Sequence, residues 1–114
     1  MTDCVFCKII RGEIPAKKIY EDEDVFAFFD IEPRAPVHFL VVPKLHIANI
    51  MELETAQIPL AGKLLFQARR IAGELGCEER GARFVINCKS DGGQTVEHLH
   101  IHVLGGRKLD WPPG

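Results

Sequence analysis

Three of the five histidines of this chain, at positions 98, 100 and 102, alternate with apolar residues. Side chains of a β-strand alternate between its two faces, so the spacing predicts that His98, His100 and His102 point to one side. Leu99 and Ile101 would then point the other way, into a core. Imidazole changes its charge near neutral pH, so the row indicates proton transfer, nucleophilic attack or metal binding.

Strand geometry argues against one metal ion held by all three imidazoles. With a rise of roughly 3.3 Å per residue, the Cα atoms of His98 and His102 would lie about 13 Å apart. Zinc binds nitrogen at only about 2.0–2.1 Å, so a regular strand offers it two of the three rings at most. A polar strand face without chemistry is the remaining alternative, although Thr, Lys or Glu normally occupy such a face.

Length and composition restrict the class of protein. With 114 residues, of which 46% are hydrophobic, we expect one domain spanning residues 1–114 and no general disorder. The net charge is −2 and the basic residues are spread along the chain, which argues against nucleic-acid and membrane partners. The sequence has neither a membrane-span run nor a signal-peptide core, so we expect a cytoplasmic protein with reduced cysteines.

Apolar patterns predict five strands and one long helix. Strands are expected at 18–21, 25–30, 38–43, 82–88 and 96–104, a short helix or turn at 4–11, and an irregular segment or short helix at 44–53. The long helix should begin between Thr55, a plausible N-cap, and Pro59, and end before Gly76. Its apolar face is predicted to contain Ala61, Leu64, Leu65, Ala68, Ile71, Ala72 and Leu75. This order of elements fits an α+β fold with an antiparallel sheet.

The residues around the triad match those of a known family. Asp-Gly-Gly-Gln at 91–94 precedes the triad, and Gly-Gly-Arg at 105–107 follows it. From about Phe6 to Gly114 the chain resembles the histidine triad (HIT) superfamily, in particular its Hint branch of histidine triad nucleotide-binding proteins. The resemblance implies a HIT-like fold: a five-stranded antiparallel sheet with one long helix and a short N-terminal helix. It further implies a two-fold homodimer with a continuous sheet.

The C-terminal tail, residues 105–114, contains the only tryptophan, Trp111. A disordered tail would have little reason to carry so large an apolar side chain, so we expect Trp111 to pack on a surface. The resemblance implies that the tail lies near the dimer interface and borders the partner's active site. The alternative is that Trp111 covers the edge of its own sheet.

The resemblance also implies a covalent mechanism at phosphorus. A neutral imidazole can attack phosphorus and leave again, and the central His100 is the implied nucleophile. His102 would bond a phosphate oxygen. Thr95, where family members usually carry Ser, would bond the leaving nitrogen, with a turn cap as its alternative role. His98 and His38 complete the candidate catalytic residues.

The expected function is a purine nucleoside phosphoramidase, a hydrolase that needs no catalytic cofactor. It would cleave the P–N bond of adenosine or guanosine 5′-phosphoramidates through a nucleotidyl-histidine and release AMP or GMP. Three other functions stay open. They are a nucleotide-binding regulatory module with little turnover, a HIT nucleotidyl transferase or phosphorylase, and a metalloprotein whose triad chelates zinc.

The nucleotide-binding residues follow from the same resemblance. Asp30 would accept two ribose hydroxyls, whereas capping a turn is the ordinary role of Asp beside a proline-rich loop. Asn87 would bond the region between phosphate and leaving group. The backbone around Gly93, Gln94 and Thr95 would cradle the phosphate, because glycine lets N–H groups approach an anion closely. Five residues, for which core packing is equally natural, match the base slot: Val5, Phe6, Ile9, Phe28 and Ile31.

Cys4 and Cys7 form a Cys-x-x-Cys pair, whose spacing suits tetrahedral zinc. Some bacterial HIT proteins complete such a site with the histidine after Pro-Lys-x and the first triad histidine, which here are His46 and His98. Other Hint proteins lack both cysteines, so two reduced thiols in a short helix are the alternative. A zinc ion at these residues would be structural and would leave His100 free.

Overall fold

The computed structural model describes residues 3–114. Its helices are α1 (Val5–Ile10) and α2 (Ile58–Glu74), with 3₁₀ helices at Ile50–Glu52 and Thr55–Gln57. Its strands are β1 (Lys18–Glu21), β2 (Val25–Phe29), β3 (Val37–Pro43), β4 (Ala82–Val85) and β5 (Ile101–Gly105). Within the described range, no helix is both long enough and apolar enough to cross a membrane.

The five strands form one antiparallel sheet in the order β1-β2-β3-β5-β4. The predicted α+β fold with one long helix is therefore confirmed. In the central pair, Leu40 of β3 lies opposite His102 of β5, and His38 lies opposite Leu104. Because side chains return to the same face every second residue, His38 and His102 are diagonal neighbours on one face.

The sheet has an apolar cluster on each face. On one face, Val25, Ala27, Phe39 and Val41 pack with buried residues of α2. On the other face, the neighbouring strand residues pack with Phe6 of α1 in a cluster completed by Phe26, Phe28, Leu40 and Val42. Since His102 shares the face of its partner Leu40, it lies on the α1 side of the sheet, opposite the long helix.

α2 begins at Ile58, inside the predicted interval from Thr55 to Pro59, but its N-cap residue differs from the prediction. Pro59 lies in the first turn, as expected, but the N-cap is Gln57 and not Thr55. Thr55 instead begins a 3₁₀ helix, which is closed by reciprocal hydrogen bonds between Glu54 and Gln57. The Glu54–Gln57 capping box thus stabilises the turn that leads into α2. The prediction assumed a Thr cap and did not consider Glu and Gln in this role.

The buried stripe of α2 is narrower than predicted. Leu65 was expected on the apolar face, yet it is 57% exposed, as is the neighbouring Phe66. The fully buried positions are spaced four, three and one residues apart and face the sheet: Leu64, Ala68, Ile71 and Ala72. Gly76 follows the C-cap with φ of +90°, as the predicted helix end requires.

The last two strands are shorter than predicted, and the change in β5 affects the triad. β4 ends at Val85, and β5 begins at Ile101, so His98 and His100 precede the strand. The Leu99 N–H donates to the Ile47 carbonyl at 2.6 Å rather than to β3. The inward direction of Leu99 and Ile101 is confirmed, but the prediction of one straight strand carrying all three histidines is wrong.

The tail after β5 passes close to the edge strand β4. Nη2 of Arg83 on β4 donates to the Asp110 carbonyl at 2.6 Å. Trp111 is 82% exposed, so the alternative that it covers the edge of its own sheet is wrong.

Candidate active site and metal centre

His100 is a buried ring with one fixed proton. Its Nδ1 lies 2.6 Å from the His98 carbonyl oxygen, which can only accept a hydrogen bond, so Nδ1 carries the proton and Nε2 holds a lone pair. Phe6 packs edge-on against the ring at 5.1 Å between centroids. Burial lowers the pKa of His100, which keeps the ring neutral near pH 7. The geometry presents His100 as a neutral nucleophile.

His38 and His102 form a hydrogen-bonded pair next to the nucleophile. The Arg34 N–H donates to Nδ1 of His38 at 3.0 Å, so the proton of neutral His38 lies on Nε2. That Nε2 lies 3.1 Å from Nδ1 of His102, which must accept, and the proton of His102 therefore lies on its own Nε2. Burial lowers the pKa of His38 and lowers that of His102 to about 4. His102 is thus a neutral N–H donor.

Asp30 follows β2 and contacts both its own turn and His38. Its Oδ1 accepts from the Glu32 N–H at 2.8 Å, which is the turn-capping role expected as the alternative. Its Oδ2 lies 3.4 Å from Nε2 of His38. Each carboxylate oxygen has two lone pairs, so the cap leaves acceptor capacity for other donors. Capping and ligand binding are therefore compatible roles for this side chain.

The structure brings together three of the five residues matched to the base slot. Phe6 and Phe28 are buried and stack edge to face at 5.5 Å, and the half-buried Ile9 packs on the same cluster. Val5 is 38% exposed, and Ile31, which follows Asp30 in the loop, is 94% exposed. Core packing is therefore observed for both aromatic residues, and their cluster borders His100 through Phe6, whereas the base slot stays a prediction.

The loop before the triad does not offer all the backbone donors that were expected. The Gly93 N–H donates to the Ser90 carbonyl at 3.1 Å, and the Gln94 N–H donates to the Lys89 carbonyl at 3.0 Å. These N–H groups close the turn of the loop itself. In this conformation these two N–H groups are already paired, and the phosphate cradle around Gly93, Gln94 and Thr95 stays a prediction.

The side chains of the same loop serve mainly to hold its shape. Nδ2 of Asn87 donates to the Gly92 carbonyl at 2.7 Å, and Nε2 of Gln94 donates to the Ala48 and Val96 carbonyls. Thr95 is exposed at the end of the loop. Of the loop residues proposed to contact ligand, Thr95 is thus the one whose side chain faces solvent.

His98 faces away from the nucleophile and toward the two cysteines of α1. Its Nε2 lies 2.8 Å from the Pro43 carbonyl oxygen, so Nε2 carries the proton and Nδ1 holds the lone pair. Nδ1 lies 3.3 Å from Sγ of Cys4, 3.6 Å from Sγ of Cys7 and 3.2 Å from Nδ1 of His46. The four side chains therefore converge, as the resemblance to bacterial HIT proteins with such a site implies.

This cluster fits a structural zinc ion. Bonds of about 2.0–2.1 Å to nitrogen and about 2.3 Å to sulfur place tetrahedral ligand atoms roughly 3.3–3.8 Å apart. The observed contacts between ligand atoms agree, including 3.4 Å from Sγ of Cys7 to Nδ1 of His46. Burial raises the pKa of the Cys7 thiol, so a bound metal would have to displace its proton. His98 and His46 would supply nitrogen, and the cysteines sulfur.

A second cluster has similar spacing but a different protonation. Ligand atoms of Asp30, His38 and His102 also lie within 4.8 Å of one another. Nε2 of His38 carries a proton there, because its Nδ1 accepts from a backbone N–H, and a protonated nitrogen cannot bind a cation. Among residues 3–114, no candidate metal cluster contains all three triad histidines, which argues against a triad chelate.

Sequence reasoning located the side chains of the site but missed the backbone groups that orient them. These groups are the carbonyls of His98 and Pro43 and the N–H of Arg34. No residue-type signal marks them, because every residue has a carbonyl. The proline-rich stretch around Arg34 was the one available hint of a rigid loop.

Comparison with known proteins agrees with the fold and the site. A sequence model of the HIT domain family matches residues 11–109, and the chain belongs to this family. An uncharacterized HIT-like protein of Synechococcus elongatus is 54% identical over 112 residues, covering 98% of this chain and 97% of that protein. A 14 kDa zinc-binding protein of Brassica juncea is 44% identical over 114 residues, covering 98% of this chain and 100% of that protein.

Solved structures of the family share the fold. The crystal structure of a HIT family hydrolase from Legionella pneumophila superposes with a TM-score of 0.96 at 47% identity, covering 98% of this chain and 100% of that chain. A histidine triad protein from Clostridium difficile superposes with a TM-score of 0.93 at 45% identity, covering 96% of each chain. The five-stranded sheet and long helix are therefore those of the HIT fold.

The metal centre gives the first prediction. Protein purified without a metal-affinity tag should contain one zinc ion per chain by elemental analysis, because two thiols and two imidazole lone pairs converge. The double variant Cys4→Ser/Cys7→Ser should lose the zinc, whereas Cys88→Ser, a free cysteine outside the cluster, should retain it. Absence of zinc from the parent protein, or its retention in the double variant, would contradict the site.

Proposed function

We propose that the protein is a purine nucleoside phosphoramidase of the Hint type. It cleaves the P–N bond of adenosine or guanosine 5′-phosphoramidates and releases AMP or GMP together with an amine. The observation that supports this proposal is the pairing of His100 and His102, whose ring centroids are 4.9 Å apart. One ring offers a lone pair and the other an N–H, which are the nucleophile and the charge-stabilising donor that attack at phosphorus requires.

The proposed reaction has two displacements at the same phosphorus atom. First, Nε2 of His100 attacks phosphorus and the P–N bond breaks, giving nucleotidyl-His100 and an amine that takes up a proton from solvent, which the water of the second displacement later returns. Thr95 is the candidate hydroxyl for contact with this amine. Water then attacks phosphorus, the bond to Nε2 breaks and the nucleoside monophosphate leaves. His102 donates its Nε2–H to a phosphate oxygen, whereas His98 acts through its carbonyl, which holds His100.

Removing the nucleophile gives the second prediction. His100→Ala should lower turnover of a fluorogenic AMP-amine by roughly 10⁴–10⁶-fold, the loss typical of a deleted nucleophile. AMP should still bind, because Asp30 and the apolar wall remain. The measurements are steady-state kinetics and calorimetric titration with AMP. A variant that keeps more than about a tenth of the parent activity would show that another group attacks phosphorus.

The third prediction concerns Asp30 as the proposed ribose-binding residue. Because Asp30 also caps its own turn, the variant has to keep the cap while it removes the contact with the ligand. Asp30→Asn keeps an oxygen for the Glu32 N–H but replaces the acceptor that faces the ligand with a donor. The loss of a charge-assisted hydrogen bond costs about 1.5–3 kcal/mol, so AMP should bind roughly 10–150-fold more weakly. Asp30→Ala should show at least the same loss.

The third prediction has two controls, a nucleotide without ribose hydroxyls and a variant of a neighbouring carboxylate. A nucleotide that lacks both ribose hydroxyls should lose much less affinity on the Asp30 change than AMP does, as measured by calorimetry. Glu32→Gln, a change of the neighbouring exposed carboxylate, should leave both affinities unchanged. Equal losses for the two nucleotides at Asp30 would refute the ribose contact.

We further propose that two copies pair through the β4 edges to form a continuous sheet. β4 is an edge strand, and its Phe84 is 42% exposed, while α2 exposes Leu65 and Phe66. Large exposed apolar side chains mark interaction surfaces when they cluster. The other edge, β1, begins and ends with Lys18 and Glu21, charges of the kind that protect an edge from pairing.

The fourth prediction concerns this pairing. Light scattering should give the mass of two chains for the parent protein, and Phe84→Lys should shift the mass toward one chain, because it places a charge at the proposed contact. Met51→Lys changes a residue that is 74% exposed in a 3₁₀ helix outside α2 and β4, and it should leave the mass unchanged. A single-chain mass for the parent would disprove the dimer.

The exposed tail gives the fifth prediction. Residues 109–114 are proposed to border the partner's leaving-group side, since Trp111 is exposed on its own chain and Arg83 holds the tail beside the β4 edge. Deleting them should change the ratio of kcat/KM between two phosphoramidates that differ only in the amine. The ratio between adenosine and guanosine substrates should hardly move. Equal scaling of all four rates would exclude this placement of the tail.

A further inference from the structure

The segment that follows β5 contacts the loop between β2 and β3 at two points. A Cβ built on Gly106, whose φ is +86°, would lie 2.8 Å from Cβ of Pro36, so only glycine allows this close approach. The next residue, Arg107, donates from Nε at 3.2 Å and from Nη2 at 2.9 Å to the carbonyl of Arg34. One guanidinium group thus fastens the loop to the end of β5.

Arg34, the residue held in this way, also orients a histidine of the site. Its N–H donates to Nδ1 of His38 at 3.0 Å, and this bond places the proton of His38 on Nε2. The Nε2–H is then available to Nδ1 of His102, so that His102 carries its own proton on Nε2. The proton on Nε2 of His102 therefore depends on the position of one backbone N–H in an otherwise exposed loop, together with the Asp30 carboxylate 3.4 Å from Nε2 of His38.

We propose that Arg107 is a positioning residue of the active site: by binding the Arg34 carbonyl, it keeps the Arg34 N–H on His38 and so fixes the tautomers of His38 and His102. Arg107 touches neither His38 nor the proposed phosphate position, and it acts only through the loop. Without it, the Asp30 carboxylate, 3.4 Å from Nε2 of His38, would still favour a proton on Nε2. Loss of the Arg34 N–H would nevertheless let a share of His38 place its proton on Nδ1, and in that share Nε2 could no longer donate to His102.

A different tautomer of His38 would weaken the proposed reaction in a specific way. If Nε2 of His38 became an acceptor, Nδ1 of His102 would have to carry the proton, and Nε2 of His102 would turn a lone pair toward the phosphate oxygen. A donor to the developing charge would be replaced by a repelling acceptor. The rate of the chemical step would therefore fall more than the affinity for nucleotide.

The tautomers can be measured directly by long-range ¹H–¹⁵N NMR on histidine-labelled protein, as purified with any bound metal. In the parent protein, Nδ1 of His38 and Nδ1 of His102 should both show the shift of an unprotonated ring nitrogen. Arg107→Met, which keeps an apolar stem but loses the donors, should move these shifts toward the average of the two tautomers. Arg107→Lys, with a single donor group in place of the two-pronged fork, should give an intermediate result.

The matched control is Arg70→Met. Arg70 lies on α2, on the opposite face of the sheet, and its guanidinium likewise makes two hydrogen bonds, to Gln67 and Glu74. Arg70→Met therefore removes an arginine and its hydrogen bonds, with some loss of stability, but leaves the loop between β2 and β3 unchanged. This variant should leave the nitrogen shifts of His38 and His102 unchanged.

Turnover provides the second measurement, and it alone rests on the proposed function. Losing hydrogen bonds of this kind typically costs a factor of about ten, so kcat of Arg107→Met on an AMP-amine should fall about tenfold, with the affinity for AMP changed less than about threefold. Arg70→Met should retain the parent kcat.

The outcomes separate the inference from the function on which it rests. If the parent protein does not cleave phosphoramidates, the proposed function fails, and the nitrogen shifts still decide the role of Arg107. Parent-like shifts in Arg107→Met would overturn the positioning role. Equal shift changes in Arg70→Met would overturn it as well, because they would indicate a general loss of stability.

Discussion

Each imidazole of the triad region uses one ring nitrogen for a hydrogen bond to a backbone group, or to a neighbouring ring whose own proton position is set by a backbone group. The carbonyl of His98 fixes the proton of His100, and the carbonyl of Pro43 fixes that of His98. The N–H of Arg34 does the converse for His38 and, through it, for His102. A neutral ring carries one proton, so each backbone bond determines what the opposite nitrogen can do.

This constraint assigns different chemistry to residues of the same type. His100 is left with a lone pair on Nε2, His102 with an N–H on Nε2, and His98 with a lone pair toward two cysteines. Burial reinforces the assignment, because it lowers the pKa values of these rings and prevents a second proton from erasing the difference between their two nitrogens. A row of identical side chains thereby separates into a candidate nucleophile, a candidate donor and a candidate metal ligand.

The candidate metal centre and the proposed nucleotide pocket share α1. Cys4 and Cys7 face His98, while Phe6, which lies between them in the chain, packs on His98 at 5.8 Å and on His100 at 5.1 Å. A helix of six residues is too short to be stable by its backbone hydrogen bonds alone. A zinc ion at its first turn would therefore also hold the aromatic wall of the pocket in place.

Local patterns in the sequence determined most of the fold and the chemical inventory of the site. Alternating apolar residues predicted the strands, Pro59 and Gly76 bracketed the long helix, and the Cys-x-x-Cys spacing indicated a metal site, whose histidine ligands were implied only by the family resemblance. These features succeed because they depend on backbone geometry and side-chain type, which are properties of short segments.

Only the tertiary structure decided how far β5 extends, because the Leu99 N–H pairs with Ile47 rather than with β3. It also decided that Leu65 and Trp111 remain exposed and which nitrogen of each histidine carries the proton. The physical reason is that these outcomes depend on partners distant in the chain, such as Pro43 for His98, and no short segment contains both members of such a pair.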